Sequence, residues 1–149
     1  MDEYPSKDIL EKNHCSWSLS PLNLKRISSI KPGTKNVQLK HTPFGDLRLD
    51  CHKKGNDSSF TDSYTRMEAD KISPTITTKF TSITNGRFGH YDIKQNRALS
   101  VKEGMLLQTF PENYVFYPEN SLSFPSILIG NAVPPKIATF FGKYISDLI

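Results

Sequence analysis

The stretch Ser100-Val101-Lys102-Glu103-Gly104-Met105-Leu106-Leu107-Gln108 is the clearest helical segment of this chain. Ser100 precedes Glu103 by three residues, the spacing of a capping box, in which each side chain accepts a hydrogen bond from the other residue's main-chain N–H. The apolar residues of the stretch form one side of the predicted helix. Because Phe110-Pro111 follows closely and proline cannot continue a helix, the sequence predicts a helix from about Val101 to Gln108.

A second helix is predicted after Pro134-Pro135, because proline is well placed in the first turn of a helix. Apolar residues then recur at spacings of three and four, namely Ile137, Phe140, Phe141, Tyr144, Ile145 and Leu148. A stripe this broad has to be buried against something. The short chain offers little surface for it, so we expect a partner chain to cover this helix.

The region before these helices predicts short strands and ordered loops more than helices. One exception is Ser20-Pro21, a good N-cap followed by a good first helical residue. Val37-Gln38-Leu39 alternates as a strand does, and residues 75–84 are rich in β-branched side chains before the turn signal Asn85-Gly86. The sequence therefore predicts two strand-like segments around a tight turn in the second half of this region.

Composition and charge indicate a loop-rich fold that could meet a polyanion. The chain has 149 residues, of which 36% are hydrophobic and ten are proline, and its mean hydropathy is -0.47. Residues 1–100 hold 16 Lys or Arg against 11 Asp or Glu, whereas residues 101–149 hold three against four. Nucleic acid would therefore meet the first hundred residues, although a net charge of +4 is a weak signal alone.

The cysteines and the N-terminus indicate a cytoplasmic protein without a metal. Cys15 and Cys51 lie far apart, and His14-Cys15 and Cys51-His52 lack the spacing of zinc ligands. No apolar run approaches the ~20 residues of a membrane span, so no membrane partner is expected. Residues 1–16 are polar and without periodicity, which predicts a flexible or partner-contacting arm.

A cluster of hydroxyl and cationic side chains is the candidate DNA-binding site, comprising Arg66, Thr75, Thr77, Thr78, Lys79 and Arg87. Phosphate oxygens accept hydrogen bonds from such groups, and arginine can also read guanine edges. Composition alone leaves the alternative open that this is a threonine-rich strand with solvated arginines.

Several phrases in order resemble the C-terminal part of a cytosine-5 DNA methyltransferase. They are Ser63-Tyr64-Thr65-Arg66-Met67, Pro74-Thr75-Ile76-Thr77-Thr78, Asn85-Gly86-Arg87-Phe88-Gly89-His90, Arg97-Ala98-Leu99-Ser100-Val101-Lys102-Glu103, Leu107-Gln108-Thr109-Phe110-Pro111 and Gly130-Asn131-Ala132-Val133-Pro134-Pro135. The resemblance covers nearly the whole chain, and it is strongest from Tyr64 to the end, where it corresponds to the end of the target-recognition domain and the ninth and tenth blocks of the family. It departs from the family's pattern at Tyr91-Asp92-Ile93, where a His-Pro phrase is usual.

The resemblance implies roles for particular residues. Thr75 would touch the DNA backbone beside the target cytosine. Arg97 and Glu103 would brace the ninth block, and Asn131-Ala132-Val133 would line the S-adenosylmethionine pocket. The further DNA contacts would come from Arg66, Thr77, Lys79 and Arg87.

The family's glycine-rich cofactor turn, its Pro-Cys nucleophile, its Glu-Asn-Val block and its Gln-x-Arg-x-Arg block are not found in these 149 residues. Neither Cys15 nor Cys51 follows a proline, so we expect no catalytic residue in this chain. A larger catalytic subunit would supply the nucleophile and share the S-adenosylmethionine, and the two chains would act on double-stranded DNA in a restriction-modification system. The alternative is a catalytically inactive DNA-binding protein or a truncated remnant.

The expected fold is α+β, in three parts. Residues 1–16 are the arm, residues 17–96 an irregular, strand-containing target-recognition region, and residues 97–149 the ninth and tenth blocks. The last part contains a helix and a C-terminal amphipathic helix that packs on the α/β catalytic domain of the partner chain.

Overall fold

The computed structural model describes residues 13–54, 61–116 and 121–149. Within these ranges the α-helices are α1 Pro21–Ser28, α2 Asp50–Lys54, α3 Val101–Leu107, α4 Ser123–Asn131 and α5 Pro135–Ser146. Two 3-10 turns cover Asn36–Lys40 and Ile83–Asn85. None of these helices has the length and apolarity needed to cross a membrane.

The chain divides into two compact units. Of the described residues, 16–54, 61–75 and 80–99 form the N-terminal unit, and 13–15, 76–79, 100–116 and 121–149 form the C-terminal unit. Residues 76–79 therefore belong with α3, α4 and α5, although they follow the N-terminal unit directly in sequence.

The core of the N-terminal unit forms where α1 meets the loops around it. Ser20 begins α1, and its Oγ accepts a hydrogen bond from the Asn23 N–H at 3.3 Å, as the sequence predicted. Full burial of a leucine or isoleucine side chain stabilises a fold by ~1.5–3 kcal/mol. The buried cluster consists of Ile27, Ile30, Leu39, Leu47, Tyr64, Ile83 and Ala98.

Gly89 joins two neighbouring segments by isolated bridges, parallel to Arg66 and antiparallel to Ala98. Its N–H donates to the Thr65 carbonyl at 3.0 Å. A Cβ at this position would lie 2.6 Å from Ile27 Cδ1 and 2.8 Å from the Thr65 oxygen. The segments approach this closely because residue 89 has no side chain.

In the C-terminal unit, α3 begins with a capping box. Both arms of the predicted capping box are present, since Ser100 Oγ accepts from the Glu103 N–H and Glu103 Oε2 accepts from the Ser100 N–H. α3 packs against α4, and Val101, Met105 and Ile129 are buried.

The predicted N-terminal arm needs correction where it is described. The carbonyls of Asn13 and Cys15 accept hydrogen bonds from the Lys102 and Val101 N–H groups at 2.7 and 3.3 Å. Residues 13–15 are thus tied to the first turn of α3, whose N–H groups lack partners within the helix. Residues 1–12 of the arm lie outside the described residues.

The predicted strands also need correction. Val37-Gln38-Leu39 lies in a 3-10 turn, and Ile83–Asn85 forms another, with Ser82 Oγ accepting from the Thr84 N–H. In the described ranges, pairing outside the helices is limited to isolated bridges. Local side-chain hydrogen bonds of serine and threonine compete with strand pairing here.

Candidate functional site

Arg66 is buried inside the N-terminal unit, with 1% of its surface exposed. Its Nε and Nη2 donate to the Ile27 carbonyl at 3.2 and 3.0 Å, and Nε also reaches the Ile30 carbonyl at 3.0 Å. Ile27 lies in the last turn of α1, where main-chain carbonyls lack the usual helical partner, and Ile30 follows the end of the helix. Arg66 therefore closes the C-terminal end of α1.

The other guanidinium donors of Arg66 hold the loop at residues 90–96. Nη1 donates to the carbonyls of His90, Asp92 and Gln95 at 2.7, 3.2 and 3.0 Å, and Nη2 donates to Asn96 Oδ1. Burial lowers the pKa of the guanidinium from its ordinary value, and the charge of Asp92 opposes that shift. Because these donors are taken up by the fold, we withdraw Arg66 from the predicted DNA contacts.

Arg87, by contrast, is exposed on the N-terminal unit. Its Nε lies 3.5 Å from Asp62 Oδ2, and about half of each side chain is open to solvent. Arg87 also lines a cleft of about 290 Å³ together with Arg66, Met67, Glu68, Lys71, Ile72 and Pro74. Its guanidinium is placed where an external phosphate or base could reach it.

The predicted threonine and lysine contacts are also exposed. Thr75 lies at the end of one segment of the N-terminal unit, and Thr77 and Lys79 lie in the C-terminal unit. The intervening Ile76 and the following Phe80 are buried. The apolar residues anchor this stretch while its hydroxyl and ammonium groups remain available to a ligand.

Arg97 and Glu103 make contacts within their own units. Arg97 donates from Nε and Nη2 to Gln95 Oε1 at 2.9 and 2.6 Å, and from Nη1 to the Ala98 carbonyl at 3.0 Å. Glu103 completes the capping box of α3. Their predicted bracing role stays a prediction.

The predicted cofactor residues form the turn between α4 and α5. Asn131 ends α4, Ala132 has extended backbone angles, and both Asn131 and Val133 are exposed. An amide supplies hydrogen-bond donors and an acceptor, and an exposed valine supplies apolar surface. Their predicted role in binding S-adenosylmethionine stays a prediction.

Two residues that the sequence analysis did not single out hold this turn. Gln108 Nε2 donates to the Ile129 carbonyl at 3.0 Å, and Thr109 Oγ1 accepts from the Lys136 N–H at 3.1 Å. The phrase Leu107-Gln108-Thr109-Phe110-Pro111 contained them, but no local pattern reveals partners more than twenty residues away.

Cys15 and Cys51 are free and exposed. Among the described residues, no group of three His, Cys, Asp or Glu side chains could hold a metal ion.

A family model described as C-5 cytosine-specific DNA methylase matches residues 3–147. The chain belongs to this family of cytosine-5 DNA methyltransferases. Enzymes of the family transfer a methyl group from S-adenosylmethionine to DNA. The methyltransferase resemblance of the sequence phrases is thereby confirmed.

Curated relatives of this methyltransferase-family chain carry type II names. Type II methylase M.HgiDII of Herpetosiphon aurantiacus is 42% identical over 138 residues, covering 91% of this chain and 37% of that protein. Type II methyltransferase M.Bpa9945I of Bacillus paralicheniformis is 30% identical over 122 residues, which are 81% of this chain and 26% of that protein. The chain thus spans well under half the length of each of these two relatives.

A third relative has a different span. Type II methyltransferase M.AquIB of Picosynechococcus sp. is 28% identical over 153 residues, covering 95% of this chain and 91% of that protein. The methyltransferase family therefore includes a curated protein, M.AquIB, almost the whole length of which is matched by this chain.

Proposed function

We propose that this chain is the DNA-recognition and cofactor-pocket-completing portion of a DNA (cytosine-5-)-methyltransferase whose catalytic part is a separate, larger chain. The observation that carries this proposal is the exposure of the apolar side chains of α5. No residue of α5 is buried, although its sequence is that of a helix that packs on one side. The match to M.AquIB over 91% of that protein supports a chain of this extent within the family.

The exposed apolar side chains of α5 and of Leu148 just after it form one stripe, consisting of Ile137, Phe140, Phe141, Tyr144, Ile145 and Leu148, with exposed fractions from 48% to 68%. An isolated helix of this length is marginal in water, and full burial of one such side chain stabilises by ~1.5–3 kcal/mol. We infer that the stripe docks on the α/β catalytic domain. Phe124, Ile127 and Leu128 of α4 are also about 42% exposed and extend the apolar surface available to that domain.

The methyl transfer requires a cysteine nucleophile, and the Pro-Cys motif that supplies it in the family is not found in these 149 residues. In the family, a thiolate attacks carbon 6 of a cytosine that has been flipped out of the duplex. Cys15 and Cys51 follow His14 and Asp50 and not a proline. Under this proposal the partner would supply the nucleophile, the glycine-rich turn and the acidic residue that assists at the base.

The residues of this chain would bind and orient. Thr75 and Arg87 of the N-terminal unit, and Thr77 and Lys79 of the C-terminal unit, would donate hydrogen bonds to the DNA. Asn131, Ala132 and Val133 would complete the pocket for S-adenosylmethionine, which supplies the methyl group when bound. Arg97 and Glu103 would brace the ninth block. The type II names of the relatives support a restriction-modification setting.

Transfer of a labelled methyl group from S-adenosylmethionine to mixed duplex DNA tests the proposal. The assay compares this chain, the chain that carries the missing blocks, and their mixture. Activity in the mixture alone supports the split enzyme, and activity of this chain alone contradicts it. If the mixture is silent while this chain binds duplex DNA, the inactive DNA-binding protein replaces it. Silence without DNA binding indicates a remnant.

A further inference from the structure

We propose that Gln108 and Thr109 are positioning residues that set the turn at Asn131-Ala132-Val133 for S-adenosylmethionine. This inference rests on the proposed function, which assigns that turn to the cofactor pocket. It adds the two side chains that hold the turn in place, neither of which needs to touch the cofactor.

The two side chains hold opposite ends of the turn. Gln108 bonds the Ile129 carbonyl, just before the turn, and Thr109 bonds the Lys136 N–H, just after it. The second bond is the N-terminal cap of α5, because Pro134 provides no side-chain cap and Pro135 has no N–H. The hydroxyl of Thr109 thus does for α5 what an N-cap residue ordinarily does from within the sequence.

Thr109 makes this bond from an unfavourable backbone conformation. It lies in the left-handed region with φ 63°, where β-branched residues are rare. The main chain there forms a Schellman motif at the end of α3, in which the Thr109 N–H donates to the Leu106 carbonyl and the Phe110 N–H to the Met105 carbonyl. Glycine is the usual residue at the left-handed position of this motif.

A glycine at residue 109 would satisfy the Schellman motif better but would have no hydroxyl for Lys136. The strained threonine is therefore explained by its side-chain bond and not by the end of α3. Strain of this kind is characteristic of functional sites, where the surroundings fix the conformation. The two requirements can be separated by substitution.

Thr109→Gly removes both the strain and the cap, whereas Thr109→Ser keeps the hydroxyl. We expect the Thr109→Gly chain to melt within about 3 °C of wild type, because relief of the left-handed strain offsets the lost cap. In the assembly with the catalytic chain, Thr109→Gly should bind S-adenosylmethionine about tenfold more weakly than wild type. Thr109→Ser should keep most of the wild-type affinity, because it retains the hydroxyl. Gln108→Met, of similar length but without the donor, should weaken binding about fivefold.

The experiment is calorimetric titration of S-adenosylmethionine into the wild-type and variant assemblies, with hydrogen exchange of the Lys136 amide measured on this chain alone. Faster exchange in Thr109→Gly than in Thr109→Ser, together with the affinity loss, supports the inference. Equal affinity for all variants overturns it while the proposed function stands, and so does an equal loss in the glycine and serine variants. A wild-type assembly that binds no S-adenosylmethionine overturns the proposed function and this inference with it.

Discussion

Gly130 lies directly against the main chain of Thr78 within the C-terminal unit. A Cβ on Gly130 would stand 2.3 Å from the Thr78 nitrogen and 2.4 Å from the Thr77 carbonyl carbon. The end of α4 therefore crosses residues 76–79 at a distance that only glycine permits. The segments that contain Thr78 and Gly130, which are far apart in the sequence, are therefore in contact here.

Replacing Gly130 with alanine should destabilise the chain by ~1–3 kcal/mol, because the methyl group meets backbone atoms that cannot move aside freely. Gly142 in α5 is the matched control, since a Cβ there has no atom within 4 Å. Gly142→Ala should stabilise by up to ~1 kcal/mol through helix propensity. Urea unfolding of both variants measures the difference, and equal stabilities would contradict the close approach.

Arg66→Met should destabilise the N-terminal unit by ~3 kcal/mol or more, because it removes the guanidinium donors from a buried set of carbonyls that includes those of Ile30 and His90. Arg87→Met removes the same charge from an exposed site and should change stability by about 0.5 kcal/mol or less. Thermal unfolding of the two variants decides the matter. A stable Arg66→Met protein with reduced DNA affinity would restore Arg66 to the DNA contacts.

Substitution of the exposed contacts should separate positioning of the DNA from reading of its sequence. Thr75→Ala should weaken binding equally on all duplexes, as expected for a phosphate contact. Arg87→Met should weaken it by ~1–3 kcal/mol on the preferred site if Arg87 reads a base. Titrations of the assembly on matched duplexes at fixed salt provide the test, and unchanged affinity in both variants would refute these assignments.

A charge in the apolar stripe of α5 should prevent assembly without unfolding the chain. Phe140→Asp should abolish co-purification with the catalytic chain, because burial of an unpaired carboxylate is strongly unfavourable. The melting temperature of the variant alone should not fall, since Phe140 is 66% exposed. Thr139→Asp, on the polar side of the same helix, should assemble normally. Equal co-purification of both variants would mean that the stripe faces no partner.

Asp46 should titrate well below an ordinary aspartate. Hydrogen bonds from the Arg48 side chain and then the Arg48 N–H lower the pKa of Asp46 from 3.8 to about 2. A lowered pKa in the folded chain stabilises it above pH 3.8, and this contribution is lost as the pH falls through about 2. NMR titration of the Asp46 carboxyl carbon measures the midpoint. Arg48→Met should move that midpoint back toward 3.8.

The helices that the sequence predicted are those whose signals are local. Ser20-Pro21 and the Ser100 capping box begin α1 and α3 where expected, and α5 begins at Pro135. α4 escaped prediction because it contains Pro125 and Gly130, which ordinarily interrupt helices. Pro125 is tolerated in the first turn, where its missing N–H would have no helical partner.

The burial of Arg66 could not be predicted, because its acceptors come from segments 24 to 39 residues away. The β-branched run at residues 75–84 misled for a related reason. Its apolar members Ile76, Phe80 and Ile83 are buried, but their spacing does not have the period of two that strands require. Tertiary packing decided the conformation there in place of β propensity.

The uncovered stripe of α5 also bears on how the protein can be produced. A chain that carries large apolar side chains in water tends to associate with itself as its concentration rises. We expect the isolated chain to form concentration-dependent oligomers and to be a ready substrate for proteases. Synthesis of both chains from neighbouring reading frames, in similar amounts, would shorten the time during which this helix has nothing to pack against.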